Sequence, residues 1–340
     1  MSDALINGLA GAGGGIIAQI ITYPLQTVAT RQQTERDPRK ERRKIGTLEQ
    51  IFQLVKQEGW KRLYGGLLPS LVGTAASQGV YYYFYQIFRK KAEVSAVEQR
   101  KKGIGNGTVG MLASLWVAAL SGCINVLITT PIWVVVTRMQ THIKPPKNSK
   151  SDPLLPDALE DTAVCATEPP PYGMSNAIQE VYGESGVSGF WGGLLPTLIM
   201  VSNPSMQFML YESMLKKLKY RYSVAGKSGV TAVEVFFLGA LAKLGATVVT
   251  YPLLVLKSRL QVKQASAGDS RHHYKGTSDA VLKMVRYEGM SGFYKGMSAK
   301  LFQSVLAAAL LFATKEELVR VVRLFIDGKS RSNSTTSKPS

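Results

Sequence analysis

Thr250-Tyr251-Pro252-Leu253-Leu254-Val255-Leu256-Lys257-Ser258-Arg259-Leu260-Gln261 has two counterparts elsewhere in the chain. Thr22-Tyr23-Pro24 is followed by Arg31 and Gln33, and Thr129-Thr130-Pro131 by Arg138 and Gln140. In all three places the arginine stands seven residues after the proline and the glutamine nine after it. A small residue stands thirteen before it, as Gly11, Ala118 and Gly239. Agreement at these offsets in three places marks an internal repeat of about 100 residues.

Working outward, each repeat holds a Gly-rich element behind an aromatic residue: Tyr64-Gly65-Gly66, Trp191-Gly192-Gly193 and Tyr294-Lys295-Gly296. Glu58-Gly59, Ser185-Gly186 and Glu288-Gly289 precede them at matching distances. A second apolar helix follows each time, near 68–90, 194–217 and 297–325. The expected unit is a helix, a polar loop with a short amphipathic helix, and a second helix. The repeats are set at 1–103, 104–225 and 226–326, with a disordered tail over 327–340. Pro24 to Gly66 is 42 residues and Pro252 to Gly296 is 44, whereas Pro131 to Gly193 is 62. The excess, rich in Pro, Ser, Asp and Glu over 143–171, reads as a disordered loop insertion.

The formal charge of +18 suits either phosphate neutralisation on nucleic acid or a membrane protein with basic loops and an anion-attracting path. Val109 to Val136 contains no charged residue over 28 positions, and Val235 to Leu256 contains only Lys243. A span needs about 20 such residues, and a nucleic-acid-binding domain has no use for them. The partner is therefore membrane lipid and not nucleic acid. Cys123 and Cys165 lie far apart with no His or Cys beside them, so neither a zinc site nor a disulfide framework is expected. No Ser–His–Asp set or P-loop argues for an enzyme. The fold class is an all-α membrane protein of six spans in a three-fold pseudosymmetric barrel. Pro24, Pro131 and Pro252 each remove a backbone donor and bend a helix towards a common axis. Gly11 with Gly15, and Ala118 with Gly122, read as close helix packing.

Proline with Arg at plus seven, Gln at plus nine and a later Gly-rich element, three times over, resembles the mitochondrial carrier family along residues 5 to 326. The resemblance implies one central site alternating between two gates, with cytosolic termini and no bound cofactor. Pro131-Ile132-Trp133 is similar to the branch that handles nucleotide-containing cofactors and folate. Val201-Ser202-Asn203-Pro204, Gln207-Phe208-Met209 and Ala299-Lys300-Leu301-Phe302-Gln303 resemble its peroxisomal members, as do Met1 to Gly8 and Tyr81 to Tyr85. What this implies is NAD import into peroxisomes against an adenine nucleotide such as AMP, by a monomer. Coenzyme A, FAD or ATP as solute, the mitochondrial inner membrane as location, and a non-transporting scaffold are the alternatives.

The family motif has an acid two residues after each proline and a base five after it. Here those positions hold Gln26, Trp133 and Leu254, and Ala29, Val136 and Lys257. Inner-gate ion pairs cannot form, and Gln33, Gln140 and Gln261 are expected to supply neutral bonds instead. At the outer gate only Glu212 and Glu316 keep the acid and Arg89 the base. Both gates are therefore expected to be weak.

A symmetric barrel must hold an asymmetric solute through positions that differ among repeats. Nine residues before each proline stand Gly15, Gly122 and Lys243. An ionisable group at mid-span is a functional candidate, and Lys243 suits a phosphate as a point charge. Family contact positions carried over to this chain are Gly73, Thr74, Met200, Val201 and Gln303. Met200-Val201 reads either as an apolar clamp on a base or as helix-packing filler. Asn203 and Gln207, four apart on one face, are placed in the cavity lining in preference to an interhelix bond. Lys300 is either pore-lining or an interface anchor.

Overall fold

The structure, a computed structural model, describes residues 3–35, 47–102, 108–142, 172–224, 230–262 and 274–335. The insertion 143–171 with Cys165, and His272 and His273, lie outside the described residues, as do the side chains of Lys315 and Glu316. Among the described residues all regular structure is helical. Repeat one comprises α1 (Asp3–Thr34), α2 (Thr47–Glu58), one turn α3 (Trp60–Leu63) and α4 (Leu67–Lys101). Repeat two comprises α5 (Met111–Thr141), α6 (Met174–Ser185), a 3-10 turn over Gly186–Trp191, α7 (Leu194–Met200) and α8 (Asn203–Val224). Repeat three comprises α9 (Ala232–Gln261), α10 (Thr277–Glu288), a 3-10 turn over Met290–Tyr294 and α11 (Met297–Thr335).

Met111–Thr141, Met174–Val224 and Val233–Gln261 carry stretches long and apolar enough to cross a bilayer on composition alone. With α1, α4 and α11 they make the six-helix carrier fold. Large apolar side chains such as Leu112, Trp116, Phe236 and Phe237 stay exposed on the outside, where lipid replaces a protein neighbour. The short helices are polar with one buried edge: Ala177 and Val181 on α6, Ala280 and Met284 on α10. A capping box holds the start of α9, where Thr231 and Glu234 satisfy each other's backbone N–H.

The most extensive packing joins α1 to α11, α4 to α5, and α8 to α9. Past the prolines α1, α5 and α9 also meet one another directly, which closes one end of the bundle. Small residues permit the close seams. At Gly122 an added Cβ would lie 2.6 Å from Val201 Cγ1, so Val201 fills the notch that Gly122 leaves. Gly122→Ala is expected to cost about 1–3 kcal/mol by overpacking. Thermal unfolding in detergent checks this, with Val201→Ala expected to restore the loss.

Two details depart from expectation. The fourth span is broken between α7 and α8, where Pro204 has no N–H to donate to the carbonyl four residues back. Ser202 caps the break by donating from its hydroxyl to the Ile199 carbonyl at 2.7 Å. The expected tail from 327 instead begins as helix, and α11 runs on to Thr335. No proline interrupts it before Pro339.

Candidate functional site

The closed end is built from the repeated motif itself. Arg31 Nε donates to the Gln140 carbonyl at 3.0 Å, Arg138 Nε to the Gln261 carbonyl at 3.0 Å, and Arg259 Nε to the Gln33 carbonyl at 3.1 Å. Each repeat thus grips the next, and the third grips the first. Arg138 also pairs with Glu184, and Arg259 with Glu288, so buried guanidinium charge is balanced. Gly66, Gly193 and Gly296 continue the cycle. All three have φ between 73° and 82°, which a side chain rarely adopts. A Cβ there would meet Met139 on α5, the Lys257 carbonyl on α9, or Gln32 on α1, at 3.1, 3.0 and 2.9 Å.

The glutamines do supply neutral gate bonds. Gln140 Nε2 donates to the Tyr23 hydroxyl at 3.0 Å and Gln33 Nε2 to the Tyr251 hydroxyl at 3.1 Å. Those tyrosines donate onward to the carbonyls of Gly65 and Lys295. Thr137 and Ser258 donate to Gln261 Oε1 and Gln33 Oε1, each at 3.0 Å. Repeat two has Thr130 where the others have tyrosine, so Gln261 Nε2 is buried without a partner. Thr130→Tyr is expected to complete the ring and stabilise the closed state by about 1 kcal/mol. A higher unfolding temperature of the empty protein, together with slower exchange, is the expected reading.

The inner gate is therefore firmer than its missing acid–base pairs suggested. Trp133 stands at an acid position and donates from Nε1 to the Ser77 hydroxyl at 3.2 Å. Ala29 and Val136 at the base positions are buried. At the other end Arg89 pairs with Glu93 at 3.0 Å and Glu212 with Lys216 at 3.2 Å, each within its own helix. Among the described residues Arg89 and Glu212 make no bridge between helices.

Between the ends lies a line of amines. Lys243 is exposed on α9, and Lys257 is half-buried fourteen residues further on. At 100° per residue the two share one face of the helix, about 21 Å apart along its axis. Lys300 on α11 is half-buried. Lys300 Nζ donates to Gln303 Oε1 at 2.9 Å, and Gln303 is buried. Lys300 and Gln303 are thus brought together.

The remaining expected contacts divide. Gly73 is a packing position, since a Cβ there would meet Ile132 at 3.0 Å and Trp133 at 3.7 Å. Thr74 is half-buried and returns its hydroxyl to the Ser70 carbonyl at 2.9 Å. Met200 sits half-buried at the helix break, while Val201 is taken up by Gly122. The preference for cavity lining at Asn203 gives way to a helix–helix bond. Its Nδ2 donates to Thr250 Oγ1 at 2.6 Å, because α8 packs directly on α9. Gln207 is half-buried. Gln19 likewise joins two helices, through Ser70 Oγ at 2.9 Å.

Sequence reasoning used Arg31, Arg138 and Arg259 only to align repeats and missed their part in the gate. Their threefold recurrence was the available signal. It also matched Ser185 to Glu58 and Glu288, whereas the acid that pairs with Arg138 is Glu184, one residue earlier.

Comparison with known proteins agrees with this architecture. The family model described as "Mitochondrial carrier protein" matches residues 2–94, 107–222 and 228–324. The chain is 66% identical to the peroxisomal nicotinamide adenine dinucleotide carrier of Arabidopsis thaliana, over 99% of this chain and 100% of that one. It is 30% identical to peroxisomal membrane protein PMP34 of Mus musculus, over 93% and 92% of the two chains. It is 29% identical to PMP47B of Candida boidinii, over 99% and 91%. Three matched repeats, joined in a ring by their own motif residues, make this chain a member of the mitochondrial carrier family.

Proposed function

We propose that this protein imports NAD across the peroxisomal membrane in counter-exchange with adenine nucleotides such as AMP, by alternating access, as a monomer with cytosolic termini. The observation that carries the reading is the 66% identity, over essentially both full lengths, to an Arabidopsis protein described as a peroxisomal nicotinamide adenine dinucleotide carrier. The interior supports it. Lys243 and Lys300 offer positive charge to a phosphate, Gln303 and Gln207 offer amides to an edge or ribose, and Met200 offers an apolar surface. Dispensing with inner-gate ion pairs leaves a positive interior, which favours an anionic solute over a cationic one.

Purified protein in liposomes preloaded with AMP tests the proposal. Labelled NAD is expected to enter, and not to enter empty liposomes at a comparable rate. Unlabelled NAD should compete better than coenzyme A, FAD or ATP. Uptake that prefers one of these competitors, or that needs no internal nucleotide, overturns the reading.

A further inference from the structure

We propose that Trp191 is the latch of the second repeat: its indole N–H closes the kink at Pro131 from the lipid side, in place of the tyrosine–glutamine bond that the other two seams make inside the gate. The inference rests on the reading of the protein as one that alternates between two gates. Pro131 lies inside α5 and has no N–H, so the carbonyl four residues back, that of Leu127, loses its backbone donor. Trp191 Nε1 donates to that carbonyl at 3.0 Å. The carbonyls freed in the same way by Pro24 and Pro252 belong to Ile20 and Val248. No side chain among the described residues donates to either of them.

Two coupled differences put Trp191 in this place. Tyr64 stacks on Tyr23 and Tyr294 on Tyr251, with ring centroids 6.2 Å apart in each pair. Repeat two has Thr130 in place of the first ring and Trp191 in place of the second. An indole with no such ring to stack on brings its one polar atom to the backbone instead. Trp191 is 38% exposed, and Leu127 and Ile128 are exposed on a span without charged residues until Arg138. Lipid offers no donor there, so the carbonyl depends on the indole. The next two residues complete the latch. An added Cβ at Gly192 would meet the Leu260 carbonyl at 2.8 Å, and one at Gly193 the Lys257 carbonyl at 3.0 Å. One short segment thus holds α5 through Trp191 and lies tight on α9 through its glycines. This is the seam between repeats two and three, where Gln261 Nε2 is buried without a partner. Trp191 is a positioning residue, and releasing its indole loosens the closed end.

Thermal unfolding in detergent reads the bond. Trp191→Phe keeps a ring and loses the donor, and is expected to lower the unfolding temperature by about 2–4 °C. Tyr64→Phe should lower it little, because the stacked ring is kept and the Tyr64 hydroxyl makes no hydrogen bond among the described residues. Pro131→Ala returns a backbone N–H to the Leu127 carbonyl, and Trp191→Phe should then cost less than half as much. The gate is read without any solute, from the rate at which a maleimide modifies Val136→Cys, at a buried gate position, followed by peptide mass. Trp191→Phe should speed that modification about fivefold, and should speed NAD exchange in liposomes with half-saturation unchanged. An unchanged unfolding temperature in Trp191→Phe, or equal losses with and without Pro131, overturn the bond's role at the kink. Should Pro131→Ala not fold, the contrast between Trp191→Phe and Tyr64→Phe decides. Unchanged modification of Val136→Cys removes the latch. Faster modification with no NAD exchange leaves the latch standing and ends the transport reading.

Discussion

Glu288→Gln lowers the stability of the protein in detergent by about 3–5 kcal/mol, the expected cost of stranding a buried charge. Arg259 is fully buried and Glu288 is 6% exposed, and their two contacts include one of 2.7 Å from Nη2 to Oε2. Neutralising the carboxylate removes the paired negative charge, and the carbonyls of Gln33 and Glu35 that also accept from the guanidinium cannot replace it. Glu184→Gln should cost less, because Glu184 is 21% exposed and water can replace part of the lost interaction. Chemical or thermal unfolding of both variants gives the comparison. Equal, small losses would show that the pairs do not hold the closed end.

The same site sets a pH dependence. Burial raises the Glu288 carboxyl, but the hydrogen bonds and charges of Arg259 and Lys295 outweigh it and hold the group below the usual carboxylate range. A depressed value in the folded state means the stabilisation is present above that range and is lost as pH falls through it. Wild-type protein should therefore lose stability on acidification more steeply than Glu288→Gln.

Lys243→Gln is expected to reduce NAD uptake at low substrate concentration by about 10- to 100-fold, the loss of one charge-assisted phosphate contact. Yield and unfolding temperature should be unchanged, since Lys243 is exposed and its amine makes no hydrogen bond or ion pair among the described residues. Lys243→Arg keeps the charge and should retain part of the uptake. Exchange at the wild-type rate in Lys243→Gln would remove Lys243 from the site.

Much of this was legible in the chain. Three prolines with Arg and Gln at fixed offsets gave the repeat, the six spans and the family resemblance. Helical periodicity put Lys243 on the same face as Gly239, and the mismatch among Gly15, Gly122 and Lys243 made it the proposed solute contact. The gate was less legible. Missing acids at Gln26, Trp133 and Leu254 suggested weakness, because a motif read within one repeat cannot show bonds made between repeats.

Sequence by itself determined what each repeat contains, since periodicity and proline position are local properties of a helix. Only the tertiary structure decided which repeat each side chain serves. Arg31 reaches the Gln140 carbonyl, Asn203 reaches Thr250 rather than the interior, and Val201 fills the space that Gly122 leaves. Those partners lie 109, 47 and 79 positions apart in the chain. At such separations the partner is chosen by how whole helices pack and cross, and no local spacing encodes that choice.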